Sequence, residues 1–382
     1  MPGNEEFAEL KHAVDRAKIA EDRVQQTIPL VMVMRDDKPR ETHILERGNY
    51  ETPGAVVPPA TPSFLPPLPA GAKADRLALA KWLVAPEQPL MPRVVLNRIW
   101  QMFFGQGLVK TADDFGLQGA LPSHPELLDW LAVEFRESGW NVKHLVKLIV
   151  TSRTYQQAAV LTPELLAKDP ENALLARGPR FRLDSRFIRD QALALSGLLV
   201  EKQGGFPVMP YQPPGIWEDI SFGKNRYFQG TGEDLHRRSL YTFWRRSAGP
   251  ANFFDAPSRQ VCALKPNRTN TPLQALTTLN DTTYVEAARV WAQQLTPLTD
   301  DTAKLRRLVL TATAREPEPR EITSLMKTLT QAREHYAANA AEADKLVATG
   351  EAPCDPALDA REHAAWTTVC LLVLNLDETL TQ

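Results

Sequence analysis

The chain has 382 residues, of which 43% are hydrophobic and 24% charged, the proportions of a folded globular protein rather than a disordered one. Its formal net charge of −2, from 44 Lys and Arg against 46 Asp and Glu, gives no overall positive field and argues against nucleic acid as a partner. The apolar stretch Ala364–Leu376 is shorter than the roughly 20 residues of a membrane helix, so we expect no transmembrane segment.

The N-terminal part of the chain divides into two segments of different amino-acid composition. Residues 1–27 predict a polar helix or connector, with the helix over Glu5–Gln26, and they lack the apolar run of a signal peptide. Residues 28–70 contain nine prolines among Val, Met and aromatic residues. Because proline forbids helix and favours extended backbone, this segment predicts a Pro-rich extended strap.

Residues 71–202 predict a helical bundle with clear helix boundaries. Pro92 suits the first turn of a helix that Gly105 ends, and Ser123–Glu126 reads as a capping box that starts the next helix. Asn141 is a helix cap, and Asp184 caps a helix predicted to run to Leu199. Short loops between amphipathic helices are typical of a bundle.

The pattern changes after residue 202. Residues 203–270 form a loop-rich insertion of Pro, Gly, Arg and aromatic residues, with a short strand predicted at Ser239–Trp244. Residues 271–382 predict a C-terminal helical bundle that begins at the capping box Thr271–Gln274. The helices predicted after it are Asp281–Leu295, Asp300–Thr313, Pro319–Leu346 and Asp359–Leu376. The predicted fold class is therefore mainly α: two helical bundles, the long insertion and a little β.

No complete catalytic or cofactor motif stands in the sequence. GxGxxG after a strand, the P-loop, HExxH and the GxSxG elbow are all missing. Cys262, Cys354 and Cys370 form no CxxCH and no zinc cluster, and the histidines form no pair at the i, i+4 spacing of a metal site. We therefore predict no cofactor and no metal in this chain, and enzymatic activity stays an open question.

The insertion concentrates arginines beside aromatic rings. Such groups can hold a carboxylate, a sulfate, a phosphate or a sugar through bidentate hydrogen bonds and stacking. Alternatively, the guanidinium groups fix the loop to helix C-termini and to Asp255 while the aromatic rings fill the core. The predicted binding residues are Arg237, Arg238, Tyr241, Trp244, Arg245, Arg246, Asp255, Arg259 and Arg268.

A second hypothesis is a hydrolase-like or redox-accessory enzyme. Its site would join Asp114, His124, Asp255 and Arg268 around a pocket. Asp113 and Asp114 could supply paired carboxylates, but aspartates in such a loop also satisfy local backbone amides. The two hypotheses differ in whether these four side chains converge.

A series of motifs in this chain resembles the planctomycete PSD domain, a C-terminal domain of unknown function in large envelope proteins with cytochrome c-like PSCyt domains. The motifs run in order from about residue 28 to the C-terminus. They are Arg40–Tyr50, Asn97–Trp100, Gly105–Gly107, Asp113–Gly116, His124–Trp130, Arg238–Tyr241, Phe254–Pro257, Thr269–Leu276 and Leu374–Asp377.

The resemblance implies a context rather than an activity. Members are exported to the cell envelope or periplasm and stand beside cytochrome-like domains in polysaccharide-rich surroundings. Haem is then expected only in companion domains, because the CxxCH region is absent from this chain. The expected partners are the companion cytochrome c-like or PSCyt domain, or a polyanionic glycan. The leading interpretation is a noncatalytic helical scaffold or binding module.

Overall fold

The computed structural model describes residues 3–28, 30–36, 40–245, 248–250, 252–257, 261–265 and 267–381. The protein is mainly helical, which confirms the predicted fold class, and its named strands form one two-stranded antiparallel sheet within those ranges. The chain divides into two compact units, residues 1–91 and residues 92–382. The five-segment division from sequence stays a prediction. No helix among the described residues is both long and apolar enough to cross a membrane.

The first unit contains little helix beyond its N-terminus. The predicted polar helix is present as α1 (Gly3–Thr27), and apolar side chains such as Phe7 and Leu10 are exposed on it. Strand β1 (His43–Leu45) pairs with β2 (Pro53–Val56), and a 3-10 helix, Glu46–Gly48, joins them. Asp75 caps α2 (Arg76–Leu83) by accepting a hydrogen bond from the Ala78 amide.

The remaining helices extend to the C-terminus. Those before the insertion are α3 (Leu90–Phe104), α4 (Pro125–Glu137), α5 (Val142–Val150), α6 (Pro163–Lys168) and α7 (Ser185–Leu195). Two short helices, α8 (Ile216–Ile220) and α9 (Glu233–His236), lie inside the insertion. The C-terminal helices are α10 (Pro272–Asn280), α11 (Thr282–Gln293), α12 (Asp301–Thr313), α13 (Pro319–Ala338), α14 (Ala340–Val347), α15 (Ala360–Leu374) and α16 (Asp377–Leu380).

Most of the predicted helix caps are confirmed. The Asn141 side chain accepts from the His144 amide at 3.0 Å, and Asp184 accepts from the Arg186 amide at 2.9 Å. Thr271 forms a capping box with Gln274, in which each side chain accepts from the other residue's amide. These caps could be predicted because the partners lie within three residues of each other.

Two helix predictions are wrong in detail. Ser123 does not cap α4: the helix begins at Pro125 with His124 as its cap residue, and the Ser123 hydroxyl instead donates to the Leu108 carbonyl. The long helix predicted over Pro319–Leu346 is broken at Asn339. The Asn339 backbone is non-helical there, and its side chain donates to the preceding helix.

The predicted strand at Ser239–Trp244 is also wrong. Ser239–Tyr241 is a 3-10 helix, and Thr242 makes only an isolated bridge to Val208. Other contacts hold the backbone of this segment: the Ser239 amide donates to the Asp190 carboxylate of α7 at 2.7 Å, and the Thr242 amide donates to the Ser239 carbonyl at 3.2 Å. Backbone groups bonded in this way are not available to a neighbouring strand.

Two hydrophobic clusters lie in the second unit. The first joins α3, α4 and α5, and its fully buried side chains include those of Leu96 and Leu145. The second joins α7, α11, α12, α13 and α15, with Leu305, Leu329 and Val369 completely buried. α12 and α13 each bury one apolar face, whereas α11 and α15 are buried over most of their surface.

A buried polar network fixes the insertion to α11. Glu286 is completely buried, and its carboxylate accepts from Tyr211 at 3.1 Å and pairs with His236 at 2.7 Å. It also accepts from the Ala352 amide at 2.7 Å. Burial alone would raise the pKa of Glu286, but the hydrogen bonds from His236 and Ala352 outweigh it and lower the pKa below its ordinary value. Much of the insertion's polarity is therefore structural.

Candidate functional site

Arg237, the first of the predicted binding residues, is turned inward. It is 3% exposed, and it donates to the carbonyls of Lys202, Gly204 and Phe206 at 2.8, 2.6 and 3.3 Å. Its guanidinium lies 4.0 Å over the ring of Tyr241. These hydrogen bonds fix the loop to itself rather than to a helix C-terminus or to Asp255, and the donors they use are not available to a ligand.

The other predicted residues of this segment are less enclosed. Arg238 is about half exposed, with its Nε 3.8 Å from a carboxylate oxygen of Asp190. Arg245 lies 5.1 Å over the Trp217 ring, and Trp244 stacks on a neighbouring aromatic ring. Arg246 and Arg259 lie outside the described residues.

Asp255 has an unusual backbone and a fully engaged carboxylate. Its φ is +60°, in the left-handed region that few non-glycine residues adopt. Its oxygens accept from the amide and the hydroxyl of Thr269 and from the side chain of Gln274. Asp255 therefore holds the start of α10.

The four residues of the enzyme hypothesis do not share one cavity. Asp255 and Arg268 both line one pocket, whereas Asp114 and His124 line neither of the two cavities around Arg268. Asp114 accepts from the Gly116 amide at 2.7 Å, the local turn that was the alternative interpretation. His124 occupies the N-cap position of α4 without a capping hydrogen bond from its side chain, and its Nδ1 bonds the Ser123 hydroxyl at 3.0 Å.

Two adjoining cavities in the second unit share one wall. The larger is an open cleft of about 1210 Å³, and the smaller is a pocket of about 520 Å³ between α3, the start of α7 and the insertion. Phe181 and Arg268 line both cavities. The Arg268 guanidinium lies 4.0 Å over the Phe181 ring, within the range of a cation–π interaction.

Gly105, which ends α3 as predicted, makes this shared wall possible. Its φ is +78°, which favours glycine, and a Cβ there would lie 2.8 Å from a ring carbon of Phe181. The same Cβ would lie 3.4 Å from a guanidinium nitrogen of Arg268. Glycine is required here both for the turn and for the close approach.

Arg268 is exposed to the cavities but has no carboxylate partner among the described residues. Desolvation lowers the pKa of Arg268, and the charge of Asp184 partly offsets this effect. An arginine nevertheless stays protonated at any accessible pH. The oxygens of Asp184 are already occupied by Arg186, at 2.8 and 2.7 Å. Among the described residues, Arg268 therefore offers a positive charge that no carboxylate pairs directly.

The cleft has more cations than carboxylates. Arg177, Arg180, Arg268 and Arg315 line it together with Glu171 and Glu378. Both carboxylates are neutralised, Glu171 by Lys110 at 2.7 Å and Glu378 by Arg315 at 2.5 Å. Arg180 pairs with Asp377, whereas Arg177 donates only to the backbone carbonyls of Asp169 and Pro170. Within the described ranges, Arg177 and Arg268 are thus the two arginines of the cleft that have no carboxylate partner.

The family was found by comparison with protein-family models. PSD1, described as "Protein of unknown function (DUF1553)", matches residues 75–329, about two thirds of the chain. The chain belongs to the PSD1 family. This confirms the resemblance seen in the sequence motifs. Comparison with curated proteins and with solved structures found no match for the chain.

The PSD1 segment contains every described lining residue of the smaller pocket, from Arg98 to Arg268. The cleft also uses Glu378 and Thr381, which lie C-terminal to that segment. The pocket is therefore built from the family's own segment, and one side of the cleft is completed by the C-terminal end of the chain.

Sequence reasoning missed several residues of these walls. It did not select Phe181, Arg177 or Ser185, although the segment Arg177–Arg182 places three arginines and a phenylalanine within six residues. That density of arginine beside an aromatic ring was a usable signal. Among the described residues, no group of three or more His, Cys, Asp or Glu side chains is placed to hold a metal ion.

Proposed function

We propose that this chain is a noncatalytic binding module that holds an acidic polymer, such as a sulfated glycan, in the open cleft. The observation that carries the proposal is the pair Arg177 and Arg268, which line the cleft without a carboxylate partner among the described residues. Guanidinium groups bind sulfate and carboxylate through paired, charge-assisted hydrogen bonds. An anion in the cleft would supply the missing counter-charge.

The shape and lining of the cleft support a polymer rather than a small ion. Its volume of about 1210 Å³ exceeds the roughly 300 to 1,000 Å³ of ordinary small-molecule pockets. Val160 and Leu161 line it and are 64% and 51% exposed, and Phe181 adds an aromatic face. Such apolar surfaces can pack against the carbon faces of sugar rings while the arginines hold the acidic groups.

The setting of this activity belongs to the same proposal. Members of the family resembled are exported and stand beside cytochrome c-like domains, so we place the protein in the cell envelope or periplasm. A companion PSCyt domain, which would carry any haem, is the proposed protein partner. The module would then anchor a haem-bearing assembly to an acidic matrix.

Calorimetric titration with dextran sulfate tests the proposal, with unsulfated dextran as the ligand control. The double variant Arg177→Gln/Arg268→Gln is expected to weaken dextran sulfate binding by about a hundredfold, since each lost charge-assisted contact costs about tenfold or more. The matched control is Arg153→Gln/Arg226→Gln, which removes two exposed arginines that line neither cavity. Because surface electrostatics are screened, wild-type affinity should also fall as salt rises.

Two results would contradict the proposal. Equal affinity for dextran and dextran sulfate would show that the acidic groups are not recognised. Equal losses in the two double variants would show a diffuse charge effect rather than recognition in the cleft.

A further inference from the structure

The smaller pocket indicates a second ligand of different chemistry. We infer that the pocket of about 520 Å³ between α3, the start of α7 and the insertion binds a small aromatic carboxylate. This volume lies within the roughly 300 to 1,000 Å³ of small-molecule sites. The inference goes beyond the proposed polymer binding, because the pocket has walls that the cleft lacks.

Apolar and aromatic side chains form most of the pocket wall. Phe103, Phe187 and Phe254 line it together with Met102 and Leu264. Phe187 and Met102 are 50% and 59% exposed, so two large apolar side chains stand at the surface where the pocket is built. Exposed apolar groups clustered at a cavity are typical of a ligand site, and aromatic rings favour a flat aromatic ligand.

One part of the wall is polar and has unused hydrogen-bond capacity. Ser185 is the first residue of the eleven-residue helix α7 and is 1% exposed. Its hydroxyl has no hydrogen-bond partner in the described part of the chain. Arg268 lines the same pocket, again with no carboxylate partner within those residues. A hydroxyl donor and a guanidinium together favour a carboxylate. The start of α7 adds no further donor to this argument, because the Asp184 side chain already caps it.

The charges around the pocket favour a single negative charge on the ligand. Three arginines, Arg98, Arg186 and Arg268, and two aspartates, Asp184 and Asp255, line it, a surplus of one positive charge. Arg186 is paired with Asp184 at 2.7 Å. Asp255 is held by neutral donors of Thr269 and Gln274, so it keeps the negative charge that is counted in this surplus.

The wild-type protein gives the first test, which does not depend on any variant folding. Fluorescence titration with 2-naphthoate should show saturable binding, whereas the neutral isostere 2-naphthylmethanol should bind about tenfold or more weakly, since it lacks the charge. The absence of saturable 2-naphthoate binding in the millimolar range would overturn the inference. Equal binding of the acid and the alcohol would also overturn it.

Three variants locate the ligand. Ser185→Ala is expected to weaken 2-naphthoate binding by about fivefold, because it removes one neutral hydrogen-bond donor. Arg268→Gln is expected to weaken it by about tenfold or more. Ala263→Trp should abolish it, because Ala263 is an exposed residue of the pocket wall and a large ring there would fill the space.

Arg177→Gln is the matched control, because Arg177 lines the cleft and not the pocket. It should weaken dextran sulfate and leave 2-naphthoate unchanged, whereas Ser185→Ala and Ala263→Trp should do the reverse. The failure of one proposal is therefore distinguishable from the failure of the other. If Ala263→Trp keeps a wild-type melting temperature and full 2-naphthoate affinity, the ligand is not in this pocket and the inference is wrong.

Discussion

Arg237 and Arg268 represent two arginine-bearing regions of the molecule with opposite roles. Arg237 lies in the interior of the insertion, 3% exposed, and donates to three backbone carbonyls. Arg268 lies on the wall between the cavities, where an aromatic ring supports it and no described carboxylate bonds it. Both guanidinium groups stack on a ring at 4.0 Å, so stacking does not separate them.

Arg237 and Arg268 differ in how many of their guanidinium N–H donors are used by the protein itself. A guanidinium has five N–H donors, and a structural arginine directs them at fixed acceptors of its own chain. Arg237 is buried and directs three hydrogen bonds at carbonyls of its own loop, which stabilises the loop. Arg177 also donates to two carbonyls of its own chain, but it is only partly buried and lines the cleft. Arg268 makes no hydrogen bond to the described residues, which is why the candidate site is placed around it rather than in the segment where arginines are densest.

The largest effect is expected at Arg189, which belongs to the interior region. It is completely buried and donates to the carbonyls of Leu235 and Arg237. Arg189→Met would leave buried carbonyls without donors, so we expect the free energy of unfolding to fall by about 4 kcal/mol. Urea denaturation followed by circular dichroism measures it. A loss below about 1 kcal/mol would show that these bonds do not hold the insertion.

A paired measurement on Arg237 and Arg268 tests the comparison directly. Arg237→Gln should lower the free energy of unfolding by about 3 kcal/mol and leave ligand binding intact, because its acceptors are backbone carbonyls of the protein. Arg268→Gln should lower stability far less and weaken both ligands. Thermal denaturation gives the stability of each variant, and calorimetric titration gives its ligand affinity. The assignment of opposite roles to the two arginines is wrong if Arg268→Gln is the more destabilising change.

Gly105→Ala is expected to have a smaller effect on stability together with a loss of binding. The added methyl group meets Phe181 in a left-handed backbone conformation, so the loss should be about 2 kcal/mol. Gly139→Ala is the matched control, since Gly139 has φ +72° and, apart from its own chain neighbours, no described atom lies within 4 Å of where its methyl group would stand. It should cost about 1 kcal/mol and leave binding unchanged. Equal effects of the two variants on stability and binding would show that the contact of Gly105 with Phe181 and Arg268 is not needed for binding.

The smallest effect concerns pH. Burial lowers the pKa of His363 below its usual 6.5, and its Nε2 bonds the Arg289 carbonyl at 2.9 Å. The unfolded chain therefore takes up a proton below about pH 6.5 that the folded chain does not, so stability falls as pH drops through this window. His363→Asn should flatten this part of the melting temperature profile between about pH 5 and 7. Ligand affinity at Arg268 should vary less there, since an arginine does not titrate.

The fold was predictable where its causes are local. Apolar residues at helical spacing and caps such as Asn141 and Thr271 act within a few residues, so the helices they define are confirmed. The Ser123 cap is wrong because the hydroxyl has a distant acceptor, the Leu108 carbonyl. The strand at Ser239–Trp244 is wrong because Asp190, from another helix, accepts the amide of Ser239 and a 3-10 helix follows.

The candidate site was predictable only in part. Local composition indicates Arg268 and Asp255, and both line the smaller pocket. Phe181 and Ser185 come from a separate segment, and the packing of Phe181 against Gly105 and Arg268 depends on tertiary structure. Composition also indicates Arg237 as a binding residue, although its guanidinium bonds backbone carbonyls of the protein. The sequence shows that the guanidinium is there, but it does not show which carbonyls surround it in the fold.

One guanidinium borders both cavities, and this has a consequence for occupancy. An anion bound on either side of Arg268 would partly neutralise the charge that attracts an anion on the other side. Polymer and small acid are then expected to antagonise each other without touching. By thermodynamic reciprocity, the factor by which each weakens the other must be the same.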